Sequence, residues 1–289
     1  MGAAACAALL ETRNLWASPL GLPPGLQLYS VREFLPKDYE GTLRQLGAMG
    51  YRECEAAGFY GHSAADVKTA MEQAGLRCVS AHYPVTELQA KLDDILKFGS
   101  ELGLSYLVCS SPMARHPVEG QSWRASLEAM TLDDWRWNAE QLNQIGERAR
   151  GEGIQLGYHN HFIEFHEHDG FVPYDLLLNG TDPKLVTLEM DCGWVVIGGH
   201  RPEEYLAKYP ERYSMLHIKE FNLKGWKPGM EPVSTEMGRG SIDYASIFAA
   251  AKGARAPIRH IFVEQEAYPD MPAMEALKVD ADWVKGFQG

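Results

Sequence analysis

Four short segments of the chain place side chains that can bind a metal ion at the ends of predicted strands. Each segment follows an apolar or β-branched run of strand length. Successive segments lie about 25 to 50 residues apart, a spacing that results when a helix joins consecutive parallel strands. The segments are Tyr158-His159-Asn160-His161, Glu189-Met190-Asp191, Leu216-His217-Ile218-Lys219 and Val263-Glu264-Gln265-Glu266.

The side chains at these strand ends predict one divalent metal site. Alternation along the fifth strand points His159 and His161 to the same side. Asp191, His217 and Glu264 lie at the predicted carboxyl ends of the next three strands. Carboxylates that converge there would need a counter-charge, which a cation supplies. His159, Asp191, His217 and Glu264 form a mixed nitrogen and oxygen set, which suits Mn²⁺, Co²⁺, Fe²⁺ or Zn²⁺ better than Ca²⁺. Four protein ligands leave room for substrate oxygens, which favours a catalytic ion.

The order of elements predicts a single α/β domain, a (β/α)8 TIM barrel, over residues 25–289. Amphipathic runs separate eight candidate strands, and Thr131 with Asp134 and Ser63 with Asp66 have the spacing of helix N-terminal caps. A doubly wound sheet is the alternative, but no Gly-x-Gly-x-x-Gly loop follows the first strand. The predicted strands cover residues 25–30, 51–56, 77–82, 104–110, 154–160, 185–191, 213–219 and 258–265.

Two connections are longer than ordinary barrel turns. Residues 111–130 follow the fourth strand and residues 221–241 follow the seventh, and both leave from carboxyl ends. Non-periodic loops of this length usually serve as lids or binding loops. They carry Trp123, Trp226 and Arg239, side chains that suit a polyhydroxylated or anionic ligand at a barrel mouth, although a plain surface loop explains them equally well.

Composition excludes several classes of protein. The 289 residues are 45% hydrophobic and carry a net charge of −12, which disfavours a nucleic-acid partner. No run approaches the ~20 apolar residues of a membrane span. Five widely spaced cysteines form no Cys-x-x-Cys pair and are expected to be buried free thiols. Residues 1–24 are predicted to be an N-terminal extension, either the remnant of an export signal or a segment with a short helix that covers one end of the domain. The location, cytoplasm or periplasm, is therefore left open.

From residue 25 onward the chain resembles the xylose-isomerase-like TIM-barrel superfamily, whose members are often described as sugar phosphate isomerases/epimerases. The resemblance covers nearly all of the predicted barrel. It is specific for the superfamily and much less so for the substrate. The stretches that carry it are residues 25–32, 50–55, 158–165, 190–194, 217–219 and 238–243.

The resemblance implies one divalent ion and chemistry next to a carbonyl. Mn²⁺ is expected first, with Mg²⁺, Co²⁺, Fe²⁺ or Zn²⁺ as alternatives, and the reaction is isomerisation or epimerisation of a ketose or related keto-sugar through an enediolate. Asp191, His217 and Glu264 match the family's ligands. His159 stands where many epimerases have a glutamate, and this is similar to the pattern of inosose dehydratases, lyases that eliminate water from a keto-inositol.

Roles follow for the residues around the expected ion. Glu264 is expected to abstract the proton, and Lys219 or His161 to stabilise the enediolate oxygen. We expect substrate contacts from four further residues. These are Glu55, His82, Trp194 and Arg239.

Two other functions compete with a sugar isomerase or epimerase. An apurinic-site endonuclease of the same superfamily would need several zinc ions and a basic face, which the acidic composition disfavours. A non-catalytic sugar-binding barrel would not need a full ligand set beside an acid or base. The expected partner is a small carbohydrate, with neither nucleic acid nor membrane, and assembly into a homo-oligomer is left open.

Overall fold

A computed structural model of the chain describes residues 18–287. The expectations for residues 1–17, which include Cys6, fall outside the described residues. The other cysteines, Cys54, Cys78, Cys109 and Cys192, are buried and free, as expected from their spacing. No helix in residues 18–287 is long and apolar enough to cross a membrane.

Eight parallel strands form a closed barrel, which confirms the (β/α)8 prediction. Each strand pairs with its neighbour in the chain, and the last barrel strand pairs with the first through Gly25 opposite Phe262. The barrel strands are β1 (Pro24–Gln27), β2 (Glu53–Ala56), β3 (Arg77–Pro84), β4 (Tyr106–Ser111), β5 (Gln155–His159), β6 (Val186–Asp191), β7 (Tyr213–Ile218) and β10 (His260–Val263).

Helices surround the barrel, and two of them begin at the caps that the sequence predicts. Thr131 and Asp134 form the predicted capping box of the fifth helix, and Ser63 accepts a hydrogen bond from the backbone N–H of Asp66 at 3.2 Å. The helices are α1 (Tyr39–Met49), α2 (Ala64–Ala74), α3 (Val85–Leu102), α4 (Trp123–Glu128), α5 (Leu132–Gly151), α6 (Pro173–Gly180), α7 (Cys192–Ile197), α8 (Pro202–Lys208), α9 (Tyr244–Gly253) and α10 (Ala273–Gly286).

A small apolar cluster on the barrel strands is separate from the main core. Its members come from β3, β4, β7 and β10, and the ring of His217 packs edge-on against Phe262 at 5.9 Å. Because inward side chains of such barrels fill the interior in layers, this cluster supports the polar layer that contains His217. Its members are Val79, Tyr106, Val108, Met215 and Phe262.

Both long connections contain regular structure that the sequence pattern did not predict. Residues 111–130 include α4, and residues 221–241 include an antiparallel pair, β8 (Phe221–Asn222) and β9 (Val233–Ser234). Arg124 on α4 contacts Glu231 of the second connection at 2.8 Å, so the two segments meet at the barrel mouth.

Buried Asp280 on α10 predicts a pH-dependent stability. Its Oδ1 accepts a hydrogen bond from the backbone N–H of Met237 at 2.7 Å, and Oδ2 has no hydrogen-bond partner among the described residues. Burial, with nearby Glu236, raises the pKa of Asp280 to about 7. Between the ordinary carboxyl pKa and this value, the folded chain holds a proton that the unfolded chain has released. The free energy of unfolding therefore falls as pH rises through that interval.

We expect Asp280→Asn to raise the free energy of unfolding above that of the unchanged chain by more at pH 8 than at pH 5. Asparagine keeps the acceptor for Met237 but never ionises. The difference should be on the order of 2 to 4 kcal/mol, since one pKa unit corresponds to about 1.4 kcal/mol. Thermal unfolding at both pH values, in a chelator to remove metal effects, measures it. An identical pH dependence in the two proteins would contradict the assignment.

Candidate metal centre

The structure brings the four predicted metal ligands together at the carboxyl ends of the strands. His159 ends β5, Asp191 ends β6, His217 lies near the end of β7, and Glu264 directly follows β10. One ligand atom from each lies within 4.8 Å of the others, and all four residues are buried. The sequence therefore predicted this convergence from strand position alone.

Asp191 is held in place by the start of α7 and by a neighbouring strand. Its Oδ1 accepts a hydrogen bond from the backbone N–H of Trp194 at 2.8 Å, and its own N–H donates to Asn160 Oδ1 at 3.1 Å. Oδ2 has no hydrogen-bond partner among residues 18–287 and lies 3.3 Å from Lys219 Nζ. Burial raises the pKa of Asp191 to about 6, against the opposing effect of Lys219. One buried carboxylate oxygen thus remains available to a cation.

Glu55 lies behind His217 instead of on the substrate side. Its Oε1 is 2.7 Å from His217 Nε2 and 2.7 Å from His82 Nε2, and the side chain is fully buried. Although burial by itself raises the pKa of Glu55, the two imidazoles hold it well below its usual range. This position differs from the substrate contact expected from sequence. A carboxylate on the far nitrogen of a histidine orients the ring and makes it a better metal ligand.

Glu189 is a functional candidate that sequence reasoning did not select. Its Oε2 contacts His82 Nε2 at 2.8 Å, His159 Nδ1 at 3.1 Å and His217 Nε2 at 3.2 Å. The signal was present, because Glu189 precedes Asp191 by two residues on the same strand and must share its face. The contact of Glu189 with Nδ1 fixes the orientation of the His159 ring and leaves Nε2 of that ring available to a metal ion.

Two overlapping sets of side chains could hold an ion. One is His82, His159, Glu189 and His217, and the other is the predicted set with Asp191 and Glu264. We favour the predicted set. Both sets reach the open cleft, the first through His82 and His159 and the second through His159 and Glu264. The second set has two carboxylates to balance a divalent charge, whereas in the first set Glu189 is the one carboxylate and its Oε2 already contacts three imidazoles. A catalytic ion needs an open position for substrate.

Lys219 lies among three carboxylates beside the predicted ligands. Its Nζ is 3.3 Å from Asp191 Oδ2 and 2.9 Å from Glu264 Oε2, and it also donates to Glu266. Burial alone would lower the pKa of this lysine, but Asp191, Glu264 and Glu266 raise it above its usual value. The side chain is only 1% exposed and does not line the cleft, so its charge acts through the carboxylates that it contacts.

His161 lies on the cleft wall, one alternation beyond His159. Its ring packs edge-on against Trp123 with centroids 4.9 Å apart, and its Nδ1 has no hydrogen-bond partner within the described part of the chain. Burial, reinforced by Lys219, lowers the pKa of His161 to about 3. A neutral imidazole of this kind can accept or donate one hydrogen bond to a substrate hydroxyl.

A cleft of about 900 Å³ opens from this cluster. His82, His159, His161, Trp194 and Glu264 line it. Arg239, the fourth predicted substrate contact, is not among the lining residues. Its side chain is 51% exposed and lies 3.4 Å from Glu236.

The structure is a (β/α)8 barrel with a cluster of carboxylates and imidazoles at the carboxyl ends of its strands. Such a cluster could hold a metal ion. Residues 43–287 match the family described as "Xylose isomerase-like TIM barrel". The match covers most of the chain. The chain belongs to this family.

Curated relatives of the chain include inosose dehydratases. The protein from Clostridium botulinum (strain Alaska E43 / Type E3) is 26% identical over 237 residues, which cover 73% of this chain and 76% of the relative. The inosose dehydratase of Geobacillus thermodenitrificans (strain NG80-2) is 25% identical over 240 residues, with 75% and 78% of the two chains covered.

Solved structures with the same fold include a sugar phosphate isomerase/epimerase from Parabacteroides distasonis ATCC 8503. This protein is 29% identical to the chain, with a TM-score of 0.72 and coverage of 91% of this chain and 97% of that one. A second structure described in the same words has 26% identity and a TM-score of 0.72. Proteins similar to this chain are therefore described both as dehydratases and as isomerases/epimerases.

Proposed function

We propose that the protein is a divalent-metal-dependent isomerase or epimerase of a ketose or related keto-sugar. It removes the proton next to a carbonyl and returns a proton to the resulting enediolate. The observation that carries the proposal is an open cleft that ends at a buried carboxylate, Glu264, flanked by three further candidate ligands. A binding module has no need of an ionised carboxylate and a buried lysine beside such a ligand set.

The residues present fit a divalent ion. Asp191 Oδ2, which lies 3.3 Å from Lys219 Nζ, and Glu189 Oε1 are buried without hydrogen-bond partners among the described residues, so both oxygens keep lone pairs that a cation could accept. His159, Asp191, His217 and Glu264 would hold the ion, and Glu55 and Glu189 would orient the two imidazoles. When bound, the ion polarises the substrate carbonyl as a Lewis acid. Mn²⁺ is our first choice for this nitrogen and oxygen set.

The protein's own residues supply the proton transfer. Burial alone would raise the pKa of Glu264, but Lys219 and His217 hold it well below its usual value, so the carboxylate is ionised. Glu264 faces the cleft and accepts the proton from the carbon next to the carbonyl. His161, on the same cleft, hydrogen-bonds the enediolate oxygen, and Lys219 acts by positioning Glu264 at 2.9 Å.

A dehydratase reaction is the second candidate, and a specific observation favours it. His159 occupies a position where a second carboxylate base would be needed for a symmetrical epimerase, and curated relatives include inosose dehydratases. Both reactions begin with the same proton abstraction. They differ in the next step, because a dehydratase expels a hydroxyl group from the neighbouring carbon instead of reprotonating the enediolate.

Incubation in D₂O with Mn²⁺ and a panel of ketoses and keto-inositols tests the proposal. We expect deuterium at the carbon next to the carbonyl, by NMR, and recovery of an isomeric sugar. Loss of water from a keto-inositol, by mass spectrometry, would replace the first candidate with the second. Absence of both exchange and water loss across the panel, with the metal bound, would contradict the proposal in favour of a binding module.

A further inference from the structure

The cleft extends well beyond the predicted metal centre. Its volume of about 900 Å³ lies near the upper end of the range for drug-sized ligands, which is about 300 to 1,000 Å³. A single keto-sugar beside Glu264 and His161 would leave much of this space empty. The remainder lies toward the loop after β2 and toward α3, and in strand order this is opposite Trp194, which follows β6.

The outer part of the cleft is lined by aromatic and apolar side chains. Phe59 and Phe98 pack with ring centroids 4.5 Å apart and planes inclined by 42°. Tyr60 is 38% exposed, and buried Ile95 forms the floor beside Phe98. Charges occur at the edge, where Glu87 and Lys91 lie 3.6 Å apart. An apolar wall with a charged rim suits a flat apolar group more than a second polyhydroxylated ring.

The backbone around this outer region departs from regular geometry. Tyr60 has a φ of +52°, a left-handed conformation that a bulky side chain rarely adopts, and it lies between Gly58 and Gly61, which also have positive φ. The helix α3 is interrupted at Lys91, where φ is −137°. Both irregular positions line the cleft. The positive φ of Tyr60 is a strained conformation, and such strain is most common at ligand-binding and active sites.

We propose that this region, formed by Phe59, Tyr60, Tyr83, Ile95 and Phe98, is a second subsite that binds an aromatic ring attached to the substrate sugar. The sugar end of this assignment rests on the proposed function. The substrate class is then a keto-sugar or cyclitol that carries an aromatic substituent at a carbon other than the carbonyl carbon, as in an aryl glycoside whose ring also bears a ketone. The sugar lies next to Glu264, and the ring lies against the cleft surface that the loop after β2 and α3 form together.

Isothermal titration calorimetry of the Mn²⁺-loaded protein tests the subsite with pairs of probes. Each pair consists of the 4-nitrophenyl and the methyl glycoside of the same sugar, with β-glucoside, β-galactoside and β-xyloside as the sugars. We expect the aryl member of at least one pair to bind about tenfold more tightly or better, which corresponds to about 1.4 kcal/mol. Equal affinities in all pairs, or no binding of any aryl glycoside, would overturn the proposal. Tighter binding of cellobiose than of the 4-nitrophenyl glucoside would also overturn it, since a second sugar would then fit better.

Tyr60→Gly separates binding from folding. Glycine adopts positive φ without strain, so we expect a melting temperature equal to or above that of the unchanged protein. The aryl-to-methyl affinity ratio should fall toward one. Phe98→Ala should lower the ratio in the same way, whereas Phe171→Ala, an aromatic that is 48% exposed outside the cleft, should keep it. An unchanged ratio in both cleft variants would contradict the subsite.

The outcomes separate the subsite from the proposed function. Aryl selectivity without metal-dependent deuterium exchange on any keto-sugar would contradict the proposed function and leave the subsite in place. Exchange on keto-sugars without aryl selectivity would contradict the subsite alone.

Discussion

Asp191→Asn is expected to remove the bound divalent ion and, with it, activity. Asparagine still accepts the hydrogen bond from the Trp194 N–H, so the start of α7 is kept, but the charged oxygen near Lys219 is lost. Loss of orienting partners alone weakens metal binding about 10- to 100-fold, and loss of a ligand should cost at least the larger factor. Elemental analysis after dialysis should fall from about one ion per chain to near zero. His217→Ala should have the same effect.

A matched control is available in the same chain. Asp280→Asn makes the identical change at another buried aspartate, which is 1% exposed and lies on α10, away from the cluster. It should keep the ion. Full metal occupancy in both Asp191→Asn and His217→Ala would contradict the ligand assignment. Loss of metal in Asp280→Asn would show that metal content in this assay depends on folding and not on the ligands.

Lys219→Met is expected to lower kcat strongly while the metal stays bound. Lys219 contacts Glu264 at 2.9 Å and Asp191 at 3.3 Å, so it stabilises their ionised forms and also competes with a cation for them. A positioned general base contributes about 100- to 10,000-fold to the rate, and Glu264 without its charged partner should lose at least the smaller factor. We expect a loss in this range, a KM that changes little, and about one ion per chain.

Two further variants distinguish positioning from a structural effect. Lys219→Arg keeps the positive charge and should restore part of the lost kcat. Lys278→Met removes an exposed lysine, whose partner is Asp282, and should leave kcat unchanged. A normal kcat in Lys219→Met, measured with the substrate that the exchange experiment identifies, would refute a role for this lysine.

The strand order and the polar strand ends could be predicted because both depend on local patterns. Alternation within a strand placed His159 and His161 on one side, and intervals long enough for a helix between strands placed Asp191, His217 and Glu264 at one edge. In a closed barrel of parallel strands, the carboxyl ends of all strands lie at the same rim, so these side chains meet there. The predicted capping box at Thr131 similarly needs only residues close in sequence.

Features that depend on contacts across the barrel were not predicted. Glu189 and His82 are 107 residues apart in the chain, yet they lie at 2.8 Å, and no local pattern records that pairing. The same holds for Glu55, which contacts His217 instead of the cleft. Arg239 was chosen from its loop position alone, and in loops the direction of a side chain follows from tertiary contacts.

The location of the ion tests the account most directly. Crystals grown with Mn²⁺ and measured at the manganese absorption edge would show its position by anomalous scattering. We predict one peak at coordination distance from His159, Asp191, His217 and Glu264, on the side that opens into the cleft. A peak held by His82 and Glu189 without Asp191 and Glu264, or no peak within the barrel, would contradict the central claim that these four strand ends form one catalytic metal site.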